Sequence, residues 1–390
     1  DKNLFSHILG QIDDDNNGIS GVEKSFDAKL KDGRKQLVLT LDRQLQFIVR
    51  NELLHAQNIF NNIGGAGILM NIHNGEILSL VSIPDFDLNI RENISDKKFI
   101  NRATKGVYEL GSVFKTFTIA AGLNYGLISS KDVFNNLEKK MKCGGRTISE
   151  YDESLPESMS VEDILVNSSN IGSVKIGQII GKEKMRKFLH LIGMLDKMEF
   201  DIEEVGKPLA FKWGDCKLKT VSYGHGITTT PIQLARGYAI LSNGGYHINP
   251  TLIKTKFDNL KRKKILNGDT SYKINSILRK VVTNGTASLS DVEGYDVGGK
   301  TGTANKLVGG SYDKDTRRTT FMGAFPLDKP KYIMFLLLDE PKPTENSHGL
   351  ATAGWNVAPT FSNIVRRIAP MLDIKPSSIE RLYDYDQIVV

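Results

Sequence analysis

Apolar positions along this chain recur with two different periods, and the changes of period mark out its elements. In TLDRQLQFIVRNELLHAQ, residues 40–57, Leu45, Ile48, Val49 and Leu53 fall at i, i+3, i+4 and i+8, one face of a helix, with Thr40 or Asp42 available to cap its start. That face needs a sheet to pack on. The next run, AGILMNIHNGEILSLVSIP, is two β-rich stretches on either side of Asn74-Gly75, the dipeptide suited to a two-residue type I′ turn because both central positions take positive φ. An antiparallel hairpin is expected there. From Phe86 to about Ser290 the pattern is mostly helical, as in SVFKTFTIAAGL and TPIQLARGYAILSNGG. RRTTFMGAFP and KYIMFLLLDEP then predict two strands joined by an Asp-Lys-Pro turn, and TFSNIVRRIAPML a closing amphipathic helix. Strands near both ends with helices between them predict an α+β domain whose sheet is assembled from the two ends of the chain.

Composition narrows the class without fixing it. With 390 residues, 40% hydrophobic and 25% charged, the chain can bury a large core. Residues 1–39 are more polar, contain DDDNNG, and read as the tail of another domain. No apolar run reaches the length of about 18 residues that a membrane span needs. The chain opens on Asp1, and DKNLFSHILG has no basic and apolar leader, so a processed or truncated product is expected. A net charge of +6 is too small to specify nucleic acid. The basic cluster Lys261-Arg262-Lys263-Lys264 has no interleaved aromatics and reads as a solvated turn. Cys143 and Cys216 could be free or paired; without C-x-x-C or H-E-x-x-H, neither a metal nor a cofactor is expected.

Chemistry enters with GYDVGGKTGTANK, residues 294–306, which fits two incompatible patterns. Gly294 to Thr301 satisfies G-x-x-x-x-G-K-[ST], a phosphate-binding loop, and Lys300 onward reads K-T-G-T, a strand motif of serine acyltransferases. A phosphate loop needs a buried strand before it and a helix after the Lys-Thr. The preceding TASLSDVE is polar, and Gly302 follows at once. The acyltransferase reading requires S-x-x-K and S-x-N elsewhere. S-x-x-K occurs at Ser95, Ser112 and Ser311, but only Ser112 opens an apolar helical run, which places Lys115 one turn on. S-x-N occurs once, at Ser168-Ser169-Asn170. The three motifs follow in the order S-x-x-K, S-x-N, K-T-G.

At these residues the chain resembles the class B penicillin-binding proteins, the D,D-transpeptidases that cross-link peptidoglycan. GVEKSFDAKL, LTLDRQLQ, GEILSLVSIPDFDLN, YELGSVFKTFT, VNSSNIG, SYGHGITTTPIQLARGYAILSNGG and VGGKTGTANK look like family blocks in the family's order. The stretch from Tyr223 to Ile227 and the AGWNVAP tail look more like the cell-division, or septal, members. Leu110 stands where many relatives have proline.

The resemblance implies a transpeptidase-like fold with a central antiparallel sheet flanked by helices over 40–390, and a remnant of an N-terminal pedestal domain over 1–39. It implies Ser112 as nucleophile, Lys115 as its base, with a pKa depressed by burial and by Lys300, and Ser168 as proton relay. Asn170 would bond Lys115 and the substrate backbone. Lys300, with Thr301, Gly302 and Thr303, would hold the substrate carboxylate, and backbone N–H groups of Ser112 and Thr303 the oxyanion. Gly298, Gly299 and Gly302 would let substrate approach the strand, whereas His225 reads as structural. Expected partners are peptidoglycan stem peptides, with a D-Ala-D-Ala donor and an amine acceptor, β-lactam antibiotics, a membrane glycan polymerase and division-scaffold proteins; nucleic acid is not expected. The expected location is the periplasmic face of the cytoplasmic membrane, anchored by a segment absent from the chain. Other possibilities are a β-lactam sensor or a β-lactamase of the same fold, the latter lacking a visible E-x-x-L-N carboxylate.

Overall fold

The computed structural model describes residues 2–90, 97–254 and 262–377. The first segment forms three short helices, α1 (Ser6–Leu9), α2 (Gly21–Ser25) and α3 (Asp27–Asp32). Ile8 and Val22 from these helices are buried in the same apolar cluster as the sheet. The long helix α4 (Arg43–Phe60) begins at Asp42, whose carboxylate accepts from the N–H groups of Gln44 and Leu45. Thr40 is not the cap, because its hydroxyl donates to the Ile77 carbonyl. Leu45, Ile48, Val49 and Leu53 are buried on the face that the spacing predicted.

That face covers β1 (Gly64–Asn71) and β2 (Ile77–Ile83), an antiparallel pair. Their connection differs from the expected type I′ turn. Gly75 alone has positive φ, +79°, and the loop spans residues 72–76. The Asn74 side chain accepts from the Glu76 N–H, closing a wider loop with an Asx turn. A Cβ at Gly75 would lie 2.1 Å from the Asn249 carbonyl oxygen, so this corner is packed as well as turned.

The middle of the chain carries α5 (Lys115–Asn124), the two-residue strand β3 (Val133–Phe134), the hairpin β4 (Lys140–Cys143) and β5 (Arg146–Ser149), and β6 (Met159–Ser160). Helices α6 (Val161–Val166), α7 (Asn170–Ile180), α8 (Lys182–Leu191), α9 (Asp215–Ser222), α10 (Pro231–Ser242) and α11 (Gly268–Asn284) follow. Thus the helical expectation for this region holds for its apolar runs. The β4–β5 hairpin and the irregular stretch 199–214 depart from it, being rich in charge and turn residues. Cys143 and Cys216 are joined in a disulfide, which ties β4 to α9.

The sheet is completed by β7 (Gly298–Val308), β8 (Ser311–Phe325) and β9 (Tyr332–Asp339), followed by α12 (Val357–Ile368). Its order is β2-β1-β9-β8-β7, with every pair antiparallel. The last strand in sequence therefore lies in the middle. Every residue of β9 is buried, which explains the unbroken apolar run FLLL: a strand covered on both faces has no polar side to present. Because residues 298–308 form one continuous strand, no helix start follows Lys300-Thr301, and the phosphate-loop reading fails. Ser311 begins β8 at the exposed end of this hairpin, whereas Ser95 and Lys261 lie outside the described residues. Lys264 rests its ammonium 5.6 Å from the Tyr246 ring centroid. No helix among the described residues is long and apolar enough to cross a membrane.

Candidate active site

The strand β7 lies at the edge of the sheet, and against it stands the 3₁₀ turn Gly111–Phe114 that leads into α5. Ser112 sits in this turn, partly exposed. Gly111 has φ +68°, and a Cβ there would come within 2.7 Å of the Thr303 carbonyl oxygen. Glycine thus permits both the left-handed bend and the contact that bring the Ser112 backbone against that of Thr303. Gly302 serves the same contact from the strand side: a Cβ would meet the Leu110 carbonyl oxygen at 2.4 Å.

Behind Ser112 the molecule buries two lysines, Lys115 at 1% exposure and Lys300 at 0%. Both reach one serine. Lys115 Nζ donates to the Ser168 carbonyl at 2.5 Å and to Ser168 Oγ at 3.1 Å, and Lys300 Nζ donates to the same Oγ at 2.9 Å. Ser168 itself has φ +59°, a left-handed conformation that costs a non-glycine residue about 1–3 kcal/mol unless its surroundings hold it.

Burial drives the electrostatics. Lys115 is pushed down to about 7, because a dry site disfavours its ammonium; the Glu150 carboxylate opposes the shift. Lys300 is held well below the ordinary lysine value, first by burial and then by the charge of Lys115. This revises the sequence-based expectation: burial depresses Lys115, and the repulsion within the pair falls on Lys300. Near pH 7 a substantial share of Lys115 is therefore the neutral amine.

The other expected site residues have these partners within the chain. The Asn170 amide donates to the Ser149 carbonyl at 2.8 Å rather than to Lys115, because β5 runs past the start of α7. Thr301 Oγ1 lies 2.9 Å from Thr286 Oγ1. Thr303 Oγ1 accepts from the Ala353 N–H at 3.2 Å, which leaves its own proton available to another acceptor. The glycines do not leave room for substrate. A Cβ on Gly298 would strike Leu327 and Arg279, and one on Gly299 would strike Phe321, so the space at each is filled by the protein itself. His225 stacks on Tyr223, and its ring centroid lies 4.5 Å from that of Tyr312. Its Nδ1 is 3.7 Å from Glu109, which also accepts from the Tyr312 hydroxyl.

One residue at this site carries no sequence signal. Glu150, immediately after β5, is 7% exposed. It accepts from Ser169 Oγ at 2.6 Å and from the N–H groups of Asn170 and Ile171 at 2.7 and 2.9 Å.

With this geometry in view, the likenesses to known proteins are informative. Residues 65–366 match the family described as the penicillin binding protein transpeptidase domain. The chain is 32% identical to the "Probable peptidoglycan D,D-transpeptidase FtsI" of Caulobacter vibrioides, over 95% of this chain and 65% of that protein. It is 30% identical to "Stage V sporulation protein D" of Bacillus subtilis, over 98% of this chain and 65% of that one. The chain therefore spans just under two thirds of each of these relatives. Among solved structures, penicillin binding protein 3 of Mycobacterium tuberculosis in its apo form superposes with a TM-score of 0.85 at 25% identity, covering 96% of this chain and 90% of that one. The same protein has also been solved with ampicillin, again with a TM-score of 0.85, 25% identity and coverage of 96% of this chain and 89% of that one.

Proposed function

Because this chain belongs to the penicillin-binding protein transpeptidase family, as a class B member of the septal type, we propose that it is a serine D,D-transpeptidase that cross-links peptidoglycan stem peptides. The observation that carries this reading is the convergence of Lys115 and Lys300 on Ser168 behind Ser112. A serine hydroxyl is a weak nucleophile until a base takes its proton, and Lys115 is neutral enough to do so near pH 7. Ser112 Oγ attacks the D-Ala-D-Ala carbonyl, and the oxyanion is met by backbone N–H groups of Ser112 and Thr303, an interaction typically contributing about 3 kcal/mol. Ser168 passes the proton from Lys115 to the departing D-alanine amine. The amine of a second stem peptide then attacks the ester, Ser112 recovers its proton, and the cross-link is made.

The substrate's terminal carboxylate is assigned to Lys300, Thr301 and Thr303. A carboxylate brought next to Lys300 favours the ammonium form that burial disfavours. β-Lactams imitate the donor and are expected to acylate Ser112. A β-lactamase reading is less well supported: the Glu150 carboxylate near the site already accepts three hydrogen bonds, which is a poor arrangement for activating water.

Residues 1–39 are taken as the remnant of an N-terminal pedestal domain and 40–390 as the transpeptidase domain. A periplasmic location with an N-terminal membrane anchor, and cooperation with a glycan polymerase and division-scaffold proteins, follow from the septal likeness. The test is intact-protein mass spectrometry after incubation with benzylpenicillin, with peptide mapping and a Ser112→Ala control. A stable adduct on Ser112, lost in the control, is expected. Drug consumed without an adduct would mean a β-lactamase, and an unchanged drug with no adduct would sink the acyl-enzyme reading altogether.

A further inference from the structure

We propose that Glu150 is a positioning residue of the acylation step, its carboxylate holding the Ser168 turn in the conformation that lets one serine serve both buried lysines. The inference rests on the transpeptidase reading and adds to it a residue outside the three motifs. Glu150 and Ser168 do not bond each other. The carboxylate instead takes the three donors that follow Ser168 in the chain: Ser169 Oγ and the N–H groups of Asn170 and Ile171.

Those two N–H groups belong to the first turn of α7, where a helix has donors without intrahelical partners and where negative charge is favoured. Ser169 completes the arrangement, because its hydroxyl donates to Glu150 while accepting from the Gly172 N–H at 2.9 Å. With residues 169 to 171 held in this way, the chain enters the helix through the left-handed bend at Ser168. That bend points the Ser168 carbonyl at Lys115 and its hydroxyl between Lys115 and Lys300. Without the carboxylate, the three donors that follow Ser168 lose their acceptor, and the turn is left to its backbone bonds to Ile164 and Leu165.

A second link is electrostatic. Beside burial, the charge acting on Lys115 is the Glu150 carboxylate, from the end of β5, which favours the Lys115 ammonium; the charge of Lys115 in turn acts on Lys300, from β7. Glu150 therefore both holds the segment that follows Ser168 and opposes the burial that lowers Lys115. A residue that merely caps a helix would do neither.

The experiment is stopped-flow acylation by benzylpenicillin from pH 5.5 to 9.5 for the wild type, Glu150→Gln and Glu150→Asp, with active-site titration of each by mass spectrometry. For Glu150→Gln the expected result is a plateau rate constant lower by roughly 100-fold, the scale of a small displacement among reacting groups. Its acid limb should move to lower pH, since an opposite charge near Lys115 has been removed. Glu150→Asp keeps the charge, and its limb should stay at the wild-type position with part of the rate restored. The proposal is overturned if Glu150→Gln reacts like the wild type, or if it only lowers the fraction of protein that reacts while rate constant and limb stay unchanged. A wild-type chain that forms no Ser112 adduct overturns the transpeptidase reading and this inference together, whereas normal wild-type acylation with an indifferent Glu150→Gln overturns this inference alone.

Discussion

Ser168 is the residue on which both buried lysines converge, and this makes it more informative to mutate than the proposed nucleophile, Ser112. Removing its hydroxyl in Ser168→Ala leaves Lys115 its carbonyl partner but takes away the contact shared with Lys300. Acylation by benzylpenicillin should fall by roughly 10²- to 10³-fold with the fold intact, as measured by stopped-flow mixing alongside circular dichroism. Lys115 gives the companion prediction. Since its ammonium is pushed down to about 7 by burial, the wild-type acylation rate should rise with pH through that region as the amine is freed. Lys115→Ala should lose that limb and about 10²- to 10⁴-fold in rate; a limb that persists would assign the base elsewhere. The lysines and serines were legible because each lies in a short local pattern whose neighbours reveal helix or strand. Glu150 was not, since ISEYDES holds nothing but a charged, turn-like run, and only the return of β5 to α7 makes its carboxylate a ligand of the S-x-N turn. The Asn170 contact with Ser149 was hidden for the same reason.

At the scale of elements, the site depends on how closely the serine turn lies on the edge strand. Gly302→Ala would set a methyl 2.4 Å from the Leu110 carbonyl oxygen and 2.5 Å from Thr320 Oγ1. Overpacking of this kind costs about 1–3 kcal/mol, and the movement that relieves it separates Ser112 from Thr303. Urea denaturation should show that modest loss while acylation falls further than stability; equal losses would refute the claim that the contact sets the oxyanion site. The disulfide acts on another pair of elements. It joins residues 73 apart, and on the chain-entropy account Cys143→Ser should lose about 4 kcal/mol, read from the same denaturation curves. Strand and helix type were readable from periodicity along most of the chain. The hairpin at Asn74-Gly75 was recognised but its turn type was not, because the Asn74 side chain and the packing of Asn249 on Gly75 override the local preference for type I′.

For the whole molecule, two lysines buried with lowered pKa tie stability to pH. Between the folded value of Lys115, about 7, and the ordinary lysine value of 10.5, the unfolded chain binds more protons than the folded one. Lys300 contributes with the same sign. Stability should therefore increase with pH across roughly 7.5–9.5, and urea midpoints should show this rise, flattened in Lys115→Met. A midpoint that falls with pH in both proteins would contradict the burial assigned to this pair. The α+β class and the use of both chain ends in the sheet were legible from the strand runs. The place of β9 between β1 and β8 was not, since an unbroken apolar run signals coverage on both faces without naming the neighbours. That placement has a consequence for how the protein is made. Gly65 pairs with Leu338 and Arg318 with Asp339, so the first and second halves of the sheet share no strand until the ribosome has passed residue 339. Until then the strand that joins β1 to β8 is missing from the middle of the sheet, and a chain stopped at residue 331 should take up no penicillin. On the proposed acyl-enzyme reading, a growing polypeptide should therefore stay inert to the antibiotic until the final strand has been threaded into the gap left for it.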